Sequence, residues 1–141
     1  MKKLLIALYF ILFSNMIFSQ SILGKWKTID DESGKAKSVI EIFEKNNKIY
    51  GKVVEIIEVE RRNGKCVKCP GEDKNMPILG MIIIKGLTKD GDAFNGGKIL
   101  DPQTGKLYKC TIELDGKDKL NVRGYIGISL IGRSQTWLRV R

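Results

Sequence analysis

After the first nineteen residues, apolar side chains fall in short alternating or continuous runs rich in Ile, Val, Tyr and Thr, punctuated by Gly, Asn and Asp. No run repeats at the three-to-four spacing of an amphipathic helix, so the pattern predicts strands. Eight are expected, over residues 24–29, 37–45, 48–60, 79–88, 93–100, 106–114, 119–126 and 134–141. Their links carry turn chemistry. Asn46-Asn47 tolerates the positive φ of a tight hairpin, Asp90-Gly91 and Asp115-Gly116 do the same, and Asp101-Pro102-Gln103-Thr104-Gly105 presets a turn through its proline. Short links of this kind join antiparallel neighbours. Two connections are longer: residues 61–78, which hold a cysteine pair, and residues 127–133, which hold Ile128, Leu130 and Ile131.

Alternation assigns the faces. In the sixth segment Tyr108, Cys110, Ile112 and Leu114 share the buried side; in the seventh Leu120, Val122, Gly124 and Ile126 oppose Asn121, Arg123 and Tyr125. The eighth places Thr136, Leu138 and Val140 inside and Trp137, Arg139 and Arg141 outside. Segments two to four carry apolar residues on both faces, as Ile40 and Ile42 against Val39 and Phe43 show. Eight antiparallel strands with no helix to cover them must protect their edges, and closure does so completely. The expected fold class is therefore all-β, an eight-stranded antiparallel up-and-down barrel whose interior holds side chains or one small ligand. Gly24, Gly51, Gly80, Gly86, Gly96, Gly97 and Gly124 lie in or beside strands and mark either bends of the wall or bulges.

Residues 1–19 read as a secretory signal: Lys2-Lys3, an apolar stretch from Leu4 to Phe13, and Ser19 ahead of a cut before Gln20. The stretch is interrupted by Ser14-Asn15 and is shorter than the roughly 20 residues of a membrane span. Removing 19 of the 141 residues leaves 122, expected as a single barrel domain over residues 20–141 of an exported, periplasmic or secreted protein. Two of the 25 basic residues leave with the signal, lowering the net charge from +9 to +7. The remaining lysines are scattered among acids, which describes a solvated surface and not a nucleic-acid stripe. Weak attraction to anionic envelope polymers or headgroups is compatible with this charge. The chain has no histidine, which excludes Ser-His-Asp and Cys-His nucleophiles and H-E-x-x-H zinc hydrolysis. No cofactor-binding motif is present and no cofactor is expected.

Gly24-Lys25-Trp26 opens the first strand and Arg139 and Arg141 close the last. This arrangement resembles the lipocalin and calycin barrels, in which a Trp from a G-x-W strand sits at the closed end beneath an Arg from the final strand; Arg139 is the first candidate for that role and Arg133 the second. A wider set of motifs resembles a family of secreted bacterial proteins catalogued as a domain of unknown function. It includes Gly24-x-Trp26-Lys27-Thr28, Cys66-x-x-Cys69-x-Gly71, Gly96-Gly97-Lys98-Ile99-Leu100-Asp101-Pro102, Val122-Arg123-Gly124-Tyr125 and Gly132-Arg133-x-Gln135-Thr136-Trp137. The resemblance implies a signal peptide and a lipocalin-like barrel, and implies no catalytic residues.

Three readings compete for Cys66-Val67-Lys68-Cys69. A redox pair needs its first thiol at a helix N-terminus, whereas Pro70-Gly71 follows here; a zinc site has only Cys110 and carboxylates to complete it. A structural disulfide fits an oxidising compartment best and adds about 2 kcal/mol by closing a short loop. Cys110 is expected as a buried free thiol. A second group, Arg123, Tyr125, Arg133 and Trp137, with Trp26 deeper in the barrel, suits a ligand with an acidic head and an apolar body. The leading expectation is an exported, non-enzymatic barrel that binds a small apolar or amphipathic molecule. The alternatives are an envelope structural or interaction protein using the apolar 127–133 loop, homodimerisation included, and a C-x-x-C thiol protein.

Overall fold

The computed structural model describes residues 21–128 and 131–141, so the expected signal and Leu130 lie outside the described residues. The strands are β1 (Gly24–Ile29), β2 (Ala36–Lys45), β3 (Lys48–Ile56), β4 (Ile82–Asp90), β5 (Ala93–Leu100), β6 (Leu107–Asp115), β7 (Lys119–Tyr125) and β8 (Gly132–Arg139). Each pairs antiparallel with the next, and β8 returns to β1 with Trp26 opposite Arg139 and Lys27 opposite Leu138. The result is a closed barrel in which every strand has two partners and none is left as a free edge.

The hairpin between β2 and β3 turns on Asn46 and Asn47, with φ of 52° and 63°, the paired left-handed conformation that matches strand twist. The third segment is shorter than its apolar pattern suggests. It ends at Ile56, and Val59–Arg61 forms a single 3-10 turn as the chain leaves the wall to cross the barrel end. Glycines at the bends serve both roles considered for them. At Gly97 the β5–β6 register shifts as at a bulge, and an added Cβ would stand 2.2 Å from the Lys85 carbonyl oxygen, so the strands cross too closely for any side chain.

Burial follows the expected alternation in β6 and β7, where Cys110, Ile112, Leu120 and Val122 face inward. In β8 the alternation is the reverse of the one expected. Trp137 is 2% exposed, while Leu138 and Val140 are 40% and 36% exposed. The reason is register. Residues directly opposite in an antiparallel pair share a face, and Trp137 stands opposite inward-facing Leu120 while Arg139 stands opposite inward-facing Trp26. Arg133, Gln135, Trp137 and Arg139 therefore form the inner row of β8.

One end of the barrel is filled by Ile22, Trp26, Ile42, Ile49, Leu87, Ile112 and Leu120, all buried. The Arg139 guanidinium lies 4.3 Å from the Trp26 ring centroid, and the Trp26 Nε1–H donates to the Ile22 carbonyl at 2.8 Å. Arg139 also donates from Nε to the Lys117 carbonyl at 2.7 Å, from Nη1 to that of Leu23 at 3.2 Å and from Nη2 to that of Ser21 at 2.7 Å. A single side chain thus joins β1, the β6–β7 turn and the segment preceding β1.

At the opposite end the β3–β4 connection folds into a compact flap. Cys66 and Cys69 sit at disulfide distance with Cα atoms 5.3 Å apart, the Cys66 N–H donates to the Met76 carbonyl, and Lys65 bridges to Pro77. The flap rests on the β5–β6 turn at Gly105, where φ is 72° and an added Cβ would lie 1.9 Å from the Lys68 carbonyl oxygen. Gly116 shares that backbone conformation, with φ of 71°, but has nothing within 4 Å. Gly116→Ala should then cost about 1 kcal/mol for its backbone alone, and Gly105→Ala at least about 2 kcal/mol more. Urea denaturation of the two oxidised variants measures the difference; equal losses would show that the flap does not press on the turn.

Candidate functional site

Between the filled end and the flap the interior is hollow, with a cavity of about 600 Å³. Its walls come from the inward positions of the strands: Ile40 of β2, Val53 and Ile56 of β3, Ile83 of β4, Ile99 of β5 and Val122 of β7. Gly124 widens the wall, because a residue lacking Cβ sits where Tyr108 and Ile99 approach. Two pairs of polar side chains in the lining satisfy one another. The Thr28 and Ser38 hydroxyls, on opposed positions of β1 and β2, are 2.8 Å apart, and the Trp137 Nε1–H donates to Gln135 Oε1 at 3.1 Å. Among the described residues no buried side-chain nitrogen or oxygen lacks a partner. The deep wall is mostly isoleucine and valine, so shape and apolar contact dominate what fits.

The mouth is charged and largely self-neutralised on one side. Arg133 forms a two-pronged ion pair with Asp31, with Glu32 Oε1 3.6 Å from its Nη2, and Lys37 lies 3.9 Å from Asp30. The Arg133 hydrogen bond holds the Asp31 carboxyl below its ordinary value of 3.8, and Asp31 in turn raises the guanidinium. Asp30 is also lowered, first by the Ser33 hydroxyl and then by Lys37. Arg61, from the 3-10 turn, pairs with Glu58 at 2.9 Å.

The residues expected to form one ligand group are divided by this geometry. Trp137 lines the cavity, Tyr125 and Arg133 border its mouth, and all three belong to one end of the barrel. Arg123 faces outward and donates to the Ser134 hydroxyl at 2.9 Å, as its place in the outer row of β7 requires. Trp26 is sealed under Arg139 at the other end. An acidic head cannot be held between two guanidinium groups, since one is outside and the other is engaged by Asp31. Lining residues outside the expected ligand group include Thr28, Ser38, Tyr108, Gln135, Arg61 and Ile78. Tyr108 had a signal, as the first inward residue of β6; Arg61 and Ile78 had none, because they reach the mouth through the folded flap.

Cys110 is buried in the wall, and burial pushes its thiol up to about 12, which leaves it protonated and a poor nucleophile at neutral pH. Cys66 and Cys69 are 0% and 2% exposed, so neither sulfur is presented to a redox partner. Among the described residues no three Cys, Asp or Glu side chains converge as a metal set.

A family model described as an uncharacterized protein conserved in bacteria matches residues 24–139, from the glycine of Gly24-x-Trp26 to the arginine stacked on that tryptophan. The chain belongs to this family, DUF2147. Among solved structures it is similar to protein HP1028 of Helicobacter pylori, described as belonging to the lipocalin family. The two share 21% identity and a TM-score of 0.76, over 87% of this chain and 85% of that one. At that identity the similarity concerns the fold. No curated protein matches the sequence. For this DUF2147 member the fold is therefore lipocalin-like, with its open end built from the flap, the β1–β2 and β7–β8 connections and the β5–β6 turn.

The Asp31–Arg133 pair fixes the sign of a pH dependence. A carboxyl depressed in the folded protein contributes stability that is present above the unfolded value and lost as pH falls through the depressed one. Arg133→Gln should return Asp31 toward 3.8, read as the midpoint of its side-chain carbonyl resonance in an NMR titration. An unmoved midpoint would mean that the local backbone, and not Arg133, holds the carboxylate.

Proposed function

We propose that the protein is a non-enzymatic carrier or sensor that holds one small apolar or amphipathic molecule inside the barrel. The observation that carries this reading is the hollow of about 600 Å³ behind the mouth, within the roughly 300–1,000 Å³ of small-molecule pockets and walled by isoleucine, valine and aromatic side chains. A barrel of eight strands is also the size that encloses a single ligand. The buried Cys110 thiol and the lack of histidine support a binding role over histidine- or thiol-based catalysis. Export is part of the proposal: the leader-like sequence and a cysteine pair at disulfide distance both suit an oxidising compartment.

Trp137 lines the cavity and Trp26 does not, which provides a spectroscopic assay. Titration with a fluorescent fatty-acid analogue or 1-anilinonaphthalene-8-sulfonate should give a saturable change in tryptophan emission at one site per chain, larger when Trp137 is the remaining tryptophan than when Trp26 is. No saturable binding by the wild type, nor any retained molecule in native mass spectrometry of protein taken from its own host, would sink the reading.

A second reading has one specific observation behind it. Ile126, Ile128 and Ile131 beside the mouth are 62%, 60% and 64% exposed, an apolar tip suited to self-association or contact with an envelope surface. Ile128→Asp with Ile131→Asp should abolish any concentration-dependent dimer in sedimentation without lowering Tm; a wild type that sediments as a monomer at all concentrations, and does not partition to vesicles, removes this reading.

A further inference from the structure

Next to the cavity mouth lies a second, shallower cleft under the flap. Arg61, Lys65 and Lys68 line it, no carboxylate does, and Arg61, Ile78, Pro102 and Gln103 border both spaces. We infer that this cleft is an anionic head-group site, and that the molecule taken up is a single-chain amphiphile whose tail enters the barrel while its carboxylate or phosphate rests between Lys65 and Lys68. The inference rests on the cavity-binding reading above and names its ligand class.

Charge separates this side of the mouth from the other. Across the opening, Arg133 is held by Asp31 and Lys37 lies beside Asp30. At the flap, Arg61 shares its charge with Glu58, but Lys65 and Lys68 make no ion pair among the described residues. Two ammonium groups with no carboxylate in the cleft wall give a local positive potential, and it lies where the apolar cavity ends. An anionic head is attracted to that side, and a tail anchored there enters the cavity past Ile78.

The cysteine pair acquires a role in this arrangement. Lys65 immediately precedes Cys66 and Lys68 immediately precedes Cys69. The disulfide-spaced pair, the hydrogen bond from the Asn75 N–H to the Cys66 carbonyl at 2.8 Å, and the seating of the Lys68 backbone on Gly105 hold both lysine Cα positions fixed. A preorganised backbone leaves only side-chain freedom to be lost on binding. The short covalent loop thus positions charge at the mouth, beyond whatever stability it adds.

The test compares probes that share a tail and differ in the head: myristate, monomyristyl phosphate and myristyl alcohol, with acetate and inorganic phosphate as heads without a tail. Calorimetry on the oxidised protein at low salt should show both anionic amphiphiles binding at least tenfold tighter than the alcohol, with acetate and phosphate binding too weakly to measure. In Lys65→Gln with Lys68→Gln the preference should fall below threefold while alcohol affinity stays the same. In Lys65→Glu with Lys68→Glu a myristyl trimethylammonium probe should become the tightest ligand. An alcohol that matches the acids, or a preference that survives both double variants, overturns the head-group site while leaving the cavity reading intact. Inorganic phosphate that binds as tightly as monomyristyl phosphate overturns it in favour of a free-anion site. Failure of every tailed probe, the alcohol included, falls on the cavity reading, and the inference falls with it.

Discussion

The stacking of Arg139 on Trp26 is the constraint on which the barrel depends. It occurs where β8 meets β1, the pairing with the fewest registered residues, Trp26 with Arg139 and Lys27 with Leu138. A cation over an indole contributes about 0.5–2 kcal/mol. The same guanidinium donates to three backbone carbonyls on two other segments, so the seam, the floor and the segment before β1 close together. With the floor fixed, each remaining strand pairs with its neighbour in sequence, through short turns everywhere but the flap and the β7–β8 connection. The side chains above the floor can then be small or turned aside without the wall collapsing, and that is where the hollow lies.

Much of this was legible in the sequence because β structure writes itself with a period of two. The inward rows of β6 and β7 follow directly from Tyr108 to Leu114 and from Leu120 to Gly124, and the turn residues Asn46, Asn47, Gly91 and Gly105 mark three of the reversals. β8 misleads for a physical reason. Its inner row, Arg133, Gln135, Trp137 and Arg139, runs from a polar mouth to a cationic plug, while its outer row carries Leu138 and Val140. A hydrophobicity count therefore prefers the wrong face, and the pairings of Trp137 with Leu120 and of Arg139 with Trp26 decide it. Arg123 is a related case: it has the right chemistry and the wrong parity.

The mouth was the least legible part, because it is assembled from segments that no periodicity governs. Arg61, Lys65, Lys68 and Ile78 come within one rim only after the β3–β4 connection folds on the cysteine pair and settles on Gly105. A net charge of +9 over the whole chain says nothing about this. What matters is that carboxylates accompany the cations on the β1–β2 side and are missing from the cleft beneath the flap.

The closure at Arg139 also fixes the orientation of the molecule toward whatever holds it. Ser21 and Arg139 are 118 positions apart in sequence and joined by a hydrogen bond of 2.7 Å, so the two ends of the described chain emerge side by side beneath the floor. The flap and the mouth lie at the far end. A tether, fusion partner or surface attached through either end would stand behind the barrel and leave its opening turned away from the attachment.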